Sequence, residues 1–521
     1  MRILKNTNVG KYKTVCLPLN TFDKNPNFDI SPYVLEDGYP RICYNLVYKN
    51  GALVEGNGFR YLRLPFTQER SAFCSRLPHY TKLNCGYIKM WDYRYFSSVS
   101  NRYEYYLIFY MADKKLYYIN LYTNDLDFTC LGDFTFETTP NVINFKVDNK
   151  DVIGFCEPNG NLVVWYGDEP AYTVENTPKF VSICYHDGRL FAIDSNRSTF
   201  VRYSSVINPL NWSASIHPED DGESDEGEDN SESSSSSLQE AGYIDLSECP
   251  GENKLVVSYG GNVYVFREYG ITKISTLSSK FIATNIYSST ARIYCNTVCF
   301  CGEELYFCQD NGLFKFDGYT IEQVKLELLN AYMPSYQEAI NTCYFEGKLF
   351  ISCRLIFNDF LDNRDEKWYN NCVIIYDIGL KTYSLFRDLD IIAMHPINVL
   401  RLSKLALIQK DDLSHRGVNV WEWCNRDNSV MKLYQKWQTG KITLGDITKT
   451  KTLKEIHVVA KTNMTTTIKT ESKSKTFSIT GKNEKQIIKI NMLGKEFEIS
   501  FDNYNSNFYL EPPELIFLVK N

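Results

Sequence analysis

The 521-residue sequence predicts an all-β chain: a β-propeller of about six or seven blades followed by a C-terminal β-sandwich. The first observation behind this is a recurring unit. A turn residue precedes Leu or Val, and aromatic and aliphatic residues then alternate, as in Lys115-Leu116-Tyr117-Tyr118-Ile119, Asn161-Leu162-Val163-Val164-Trp165, Asn262-Val263-Tyr264-Val265-Phe266, Glu304-Leu305-Tyr306-Phe307 and Lys348-Leu349-Phe350-Ile351. The second is spacing. Leu116 to Leu162 is 46 residues, Val263 to Leu305 is 42 and Leu305 to Leu349 is 44; Leu162 to Val263 spans 101, two such periods plus an insertion. A period of roughly 40 to 50 residues built from short strands marks blades, because each small sheet buries its faces only against its neighbours. The third is composition, with 38 Tyr and 31 Phe, residues that favour pleated, half-buried surfaces. The alternative that uses the same strands is a large irregular β-sandwich.

Residues 1 to about 40 read as an extended arm punctuated by Asn25-Pro26, Ser31-Pro32 and Tyr39-Pro40, or as a strand that closes the propeller. The blades occupy about 41 to 436. Within them, Tyr185-His186-Asp187-Gly188-Arg189-Leu190-Phe191-Ala192-Ile193-Asp194 reads as a turn feeding an apolar strand, and Tyr203 to Trp212 as a polar strand ending on an Asn-Pro-Leu-Asn-Trp corner. Trp212 is expected to pack beneath its blade. Asn311-Gly312 and Asp317-Gly318 read as hairpin turns. Ile321 to Tyr336, with Val324, Leu328 and Ala331 able to share a face, reads as a short helix or ordered loop.

From 437 to 521 the chemistry changes to 13 Lys, no Arg, no Cys and 9 acids. Alternating segments at Leu453–Val459, Thr465–Thr470, Thr476–Thr480, Gln486–Ile490, Glu496–Phe501 and Glu514–Val519 are the expected strands of the sandwich.

Charge is concentrated in an insertion at 219–240. Nine acids lie between Glu219 and Glu232 with no Lys or Arg, and five serines follow. Such a run cannot bury enough apolar surface to order itself, so the expectation is a disordered loop that limited proteolysis nicks between Asp220 and Leu238. Set apart, those nine leave 54 of the 63 acids against 56 bases, so the net charge of −7 belongs to the insertion. The N-terminal residues lack the apolar core of a secretory signal and no apolar run approaches a membrane span, which leads to the expectation of a soluble, cytoplasmically made protein with no membrane partner.

No catalytic, cofactor-binding or metal-ligating set is assigned. Cys295, Cys299, Cys301 and Cys308 form the one cluster to weigh for zinc, but Cys299 and Cys301 lie two apart on a strand, and thiols lining a blade face account for them without metal. His79, His186, His217, His395, His415 and His457 are scattered. Arg267 and Glu268, adjacent on a strand, point to opposite faces, and either could bridge blades.

The run Pro178 to Trp212 with Gly188-Arg189-Leu190-Phe191, the segments Val265 to Ile271 and Asp310 to Gly318, and the passage Trp437-Gln438-Thr439-Gly440 to Leu444-Gly445 with Lys451 to Ile456 resemble tailed-bacteriophage β-propeller proteins of the tail hub, nozzle or packaged-DNA stabilisation type. The resemblance covers about residues 150 to 470, in the same order along the chain, and the acidic insertion departs from it. It implies a non-enzymatic virion structural protein, assembled in the host bacterial cytoplasm and forming a ring of copies of itself around the DNA exit channel in the tail. Its implied partners are the portal or adaptor, tail-fibre or other tail proteins, and passing double-stranded DNA bound without sequence specificity. Two other classes compete. A receptor- or glycan-binding propeller or scaffold lacks any Gly-His to Trp-Asp frame. A glycoside hydrolase or sialidase needs paired carboxylates that no recognisable constellation supplies.

Overall fold

The computed structural model describes residues 12–27, 30–56, 58–62, 89–111, 113–121, 128–213, 240–277, 280–326, 341–357, 368–399, 402–410, 418–424, 433–504 and 507–520. Every regular element among them is a strand, joined into small antiparallel sheets. None is a helix long and apolar enough to cross a membrane. The acidic insertion, with its expected disorder, lies outside the described residues. Two compact units emerge: residues 62–324 with 392–420, and residues 1–61, 325–391 and 421–521.

The first of these units carries five consecutive four-stranded sheets, each taken in chain order. The first sheet holds Lys89–Ser97, Arg102–Tyr110, Leu116–Asn120 and Thr129–Cys130. The second holds Asn141–Val147, Lys150–Cys156, Val163–Trp165 and Tyr172–Thr173. The third holds Phe180–His186, Arg189–Asp194, Phe200–Tyr203 and Gly242–Asp245. The fourth holds Asn253–Tyr259, Asn262–Arg267, Gly270–Leu277 and Lys280–Ser288, and the fifth Ile293–Cys301, Glu304–Gln309, Gly312–Phe316 and Ile321–Val324.

The reason these strands are apolar on both faces is visible in where their side chains go. Successive residues of a strand point to opposite faces. In the second sheet Ile153 and Phe155 enter a core shared with Tyr93, Tyr106 and Ile108 of the first, while Val152 and Cys156 enter a core shared with Phe180, Leu190 and Ala192 of the third. Phe191 and Ile193 then meet Val263 and Val265 of the fourth sheet, whose Tyr264 and Phe266 meet Leu305 and Phe307 of the fifth. Each sheet between the outer two is thus buried on both sides, and each such side chain contributes about 1.5–3 kcal/mol on leaving water.

Tight hairpins set the register. The third sheet opens with His186 paired to Arg189 across Asp187 (φ 46°) and Gly188 (φ 81°), a two-residue loop with both residues left-handed, as strand twist requires. Asp148-Asn149, Gly260-Gly261 and Glu346-Gly347 repeat the arrangement between the first two strands of their sheets. Gly312 (φ 128°) and Gly318 (φ 96°) also supply positive φ, although Gly312 is already paired to Gln309 and the loop is Asp310-Asn311. The helix alternative for 321 onward is corrected at its start. Ile321–Val324 is an outer strand paired to Gly312–Phe316, with Lys315 Nζ 3.3 Å from Glu322, and residues 327–336 lie outside the described residues. Extended backbone next to an open sheet edge gains ladder hydrogen bonds that an isolated helical turn lacks.

In the other unit, Asn341–Phe345, Lys348–Phe357, Trp368–Asp377 and Thr382–Arg387 form one further four-stranded sheet. Two more sheets share one core. Tyr12–Pro18, Glu514–Lys520, Lys451–Val459 and Lys485–Gly494 make the first of them, and Pro40–Tyr44, Gln435–Thr439, Glu498–Asn503, Met464–Lys469 and Ser474–Ile479 the second. Leu453, Ile456, Leu515 and Phe517 face Trp437, Ile468, Ile499 and Phe501 across it. Both chain ends contribute, since Tyr12–Pro18 pairs residue for residue with Glu514–Lys520. Gly58–Tyr61 pairs with Trp421 to Cys424.

Candidate functional site

The hairpin that dominates the sequence places its polar residues against the first strand of the next sheet. His186 ends the first strand of the third sheet; its Nδ1 lies 2.9 Å from Ser258 Oγ of the fourth, and its Nε2 3.3 Å from Asp187 Oδ2. With Nε2–H directed at Asp187, Nδ1 accepts from the Ser258 hydroxyl. Burial pushes His186 below the ordinary imidazole value, against the pull of Asp187. This is the bonding logic of an activated hydroxyl, but it uses the ring nitrogens in the opposite order from a Ser-His-Asp triad, and the Asp187 side chain is 84% exposed, where solvent screens its charge. What the contact does in the fold is join neighbouring sheets.

Beside it, Arg189 is buried with its guanidinium 5.4 Å from the Tyr203 ring and 5.5 Å from Phe281 of the fourth sheet. Burial lowers its affinity for a proton and raises the Tyr203 phenol, which Arg189 partly offsets. Arg202 donates Nε–H to Asp194 in a buried pair, and Asp194 also accepts from the backbone N–H of Asn196 and Arg197. Arg267 is fully buried; it donates to the Pro250 carbonyl and, at 2.8 Å, to Asn285 Oδ1. These three cations are buried within the sheets, and none is presented to a solvent-borne phosphate.

Arg267 and Glu268 are not adjacent on one strand: the strand ends at Arg267, Glu268 lies in the following turn, and their roles differ. Arg267 ties together strands of its own sheet, whereas Glu268 reaches Arg292 at 3.4 Å, beside the fifth sheet. Trp212 is buried in the core between the second and third sheets, its ring 4.9 Å from Phe180. His395 lies 2.9 Å from Asp92 of the first sheet, and His457 lies 2.9 Å from Glu455 and 3.4 Å from Glu514. His79, His217 and His415 lie outside the described residues.

The four clustered cysteines sit on one hairpin. Cys299, Cys301 and Cys308 share a face, opposite Tyr306, Glu304 and Tyr294, and burial pushes the Cys295 thiol up to about 12. Among the described residues, no three His, Cys, Asp or Glu side chains converge as a metal site would require.

Sequence reading missed the His186–Ser258 contact and the buried Arg189 and Arg202. The available signal was charge within apolar strands: Asp194 directly after Leu190-Phe191-Ala192-Ile193, and Arg202 after Val201.

No protein-family model matches the chain, and neither does any curated protein. Fold and site together define its class as an all-β protein of serially stacked four-stranded antiparallel sheets with polar contacts between neighbours.

Proposed function

We propose that the stacked sheets are the blades of a propeller of about six or seven blades, joined to a β-sandwich, and that the protein is a structural component of a tailed-phage virion, of the tail hub, nozzle or head–tail stabilisation type. The observation that carries the reading is the stacking. Five sheets in chain order bury their faces against one another, which gives a wall element of close-packed cores rather than a surface opened around a reactive group. The Asp92–His395 contact, between the first sheet and the strand Ile391–Val399, favours closure into a ring of blades.

The functional step rests on the ordered motif resemblance and on charge. A conduit for double-stranded DNA must not grip a polyanion, since many Lys or Arg contacts to phosphate make binding tight and salt-dependent. The body outside the acidic insertion is near neutral, and Arg189, Arg202 and Arg267 are engaged internally. Copies of the chain form a ring around the exit channel below the portal or adaptor, DNA passes without catalysis, and the Lys-rich 437–521 region docks to neighbouring tail proteins. Quantitative mass spectrometry of gradient-purified particles is the test. The reading expects the chain at a fixed number of copies per particle; finding it only in the free soluble fraction, turning over a sugar substrate, would overturn it.

A further inference from the structure

An open sheet edge invites pairing with another chain, and proteins blunt such edges with very short strands, charge or proline. The last strands, in chain order, of the four-stranded sheets built from consecutive strands follow this. Thr129–Cys130 and Tyr172–Thr173 have 2 residues each, Gly242–Asp245 and Ile321–Val324 have 4 and carry an acid, and Thr382–Arg387 has 6 and ends on Arg. Lys280–Ser288 departs from the pattern. It has 9 residues, Lys-Phe-Ile-Ala-Thr-Asn-Ile-Tyr-Ser, with no Pro or Gly and no charge after its first residue. Among the described residues it is hydrogen-bonded on one side alone, to Gly270–Leu277. Ile282 to Asn285 are exposed, Ile282 at 40%.

We propose that this edge pairs with the same strand of a second copy, antiparallel, to make one continuous eight-stranded sheet across a two-fold axis. Self-complementarity selects the occupant. Parallel pairing in register would set Lys280 against Lys280, whereas antiparallel pairing sets it against an uncharged residue. A two-fold axis normal to the sheet must pass through a residue opposite its own copy, because opposed side chains share a face. Ile286 is an extra residue in the ladder to Gly270–Leu277, so the straight run ends at Asn285. The middle of Lys280–Asn285 falls between Ile282 and Ala283, and Ala283 is the smaller of the two where the copies meet. Centred there, Ile282 lies opposite the partner's Thr284 and Phe281 opposite the partner's Asn285, with the β-branched Ile–Thr pairs on one exposed face.

This inference needs nothing from the virion reading, and the two fail separately. The test is sedimentation of the full chain over a wide concentration range, with Thr284→Lys and Thr284→Glu variants. Thr284 is exposed, so neither disturbs the core, which unchanged thermal unfolding verifies. Wild type is expected to form a dimer, each charged variant to lose it, and an equimolar mixture of the two to regain it, since opposite charges then meet across the axis. Tyr172→Lys, on a two-residue outer strand, is expected to leave the dimer intact. A wild type that stays monomeric at every concentration, a dimer that survives both Thr284 variants, or a mixture that stays monomeric would overturn it.

Discussion

Asp194 shows how a single residue is committed in this fold. Its carboxylate holds Arg202 and two backbone N–H groups, with the paired side chains 3% and 8% exposed. Removing one member of a buried pair leaves the other charge uncompensated, so Asp194→Ala is expected to cost about 3–5 kcal/mol. Asp133→Ala breaks the Lys115 contact at 3.2 Å, but Asp133 is fully exposed, solvent screens the pair, and no measurable loss is expected. Urea midpoints of the two variants decide the point; equal losses would contradict the assignment. His186 makes a prediction about pH. Its folded-state proton affinity is lowered, first by burial, so the unfolded chain binds the proton more readily. Its contribution is therefore fully present above the ordinary imidazole value and is lost as pH falls through that value toward the lower folded one. Thermal unfolding midpoints of wild type and His186→Gln should diverge above the imidazole range and converge below it. Parallel profiles would show that His186 titrates as freely in the folded state as in the unfolded one.

At the scale of elements, the hairpin turns and the alternating strands make separate predictions. Gly188 has a φ of 81°, and a Cβ there would lie 3.2 Å from Val206, so Gly188→Ala combines left-handed strain with a tight contact. The expected cost is about 1–2 kcal/mol. Gly260→Ala, at φ 53° with nothing within 4 Å of the added Cβ, should cost less, and calorimetry of both variants gives the order. Phe155→Ala opens a cavity between the first and second sheets and should cost about 3–5 kcal/mol. Strands of this kind were legible in the sequence because a two-residue turn followed by alternating aromatic and aliphatic residues leaves few other conformations. The repeat nevertheless marks different strands in different sheets. Leu116 and Leu162 lie on third strands or at their edge, whereas Leu190, Val263, Leu305 and Leu349 lie on second strands. The spacings of 42, 44 and 46 residues compare like with like, and the 101-residue gap mixes the two positions and contains the insertion. Ile321–Val324 was not legible, because four residues carry too little periodicity to separate a strand from a helical turn, and the ladder partner decides.

At the scale of the molecule, polar contacts between sheets were the least legible feature. His186 and Ser258 are 72 residues apart, and nothing local to either marks the other. Arg189 resembles a turn residue in sequence, yet it is buried between rings supplied by two sheets. The stacking of sheets, by contrast, follows from strands that are apolar on both faces, since a sheet of that kind needs a neighbour on each side. The functional reading extends this stack to a closed ring of blades, and rings of chains about a channel. Cryo-electron microscopy of the purified particle tests that most directly. The account predicts density for several copies of this chain around the tail axis, each with its small sheets arrayed about a central axis and flanking the DNA channel. Particles whose tail density accommodates no such copies, or a chain whose sheets stack without a common axis, would contradict it.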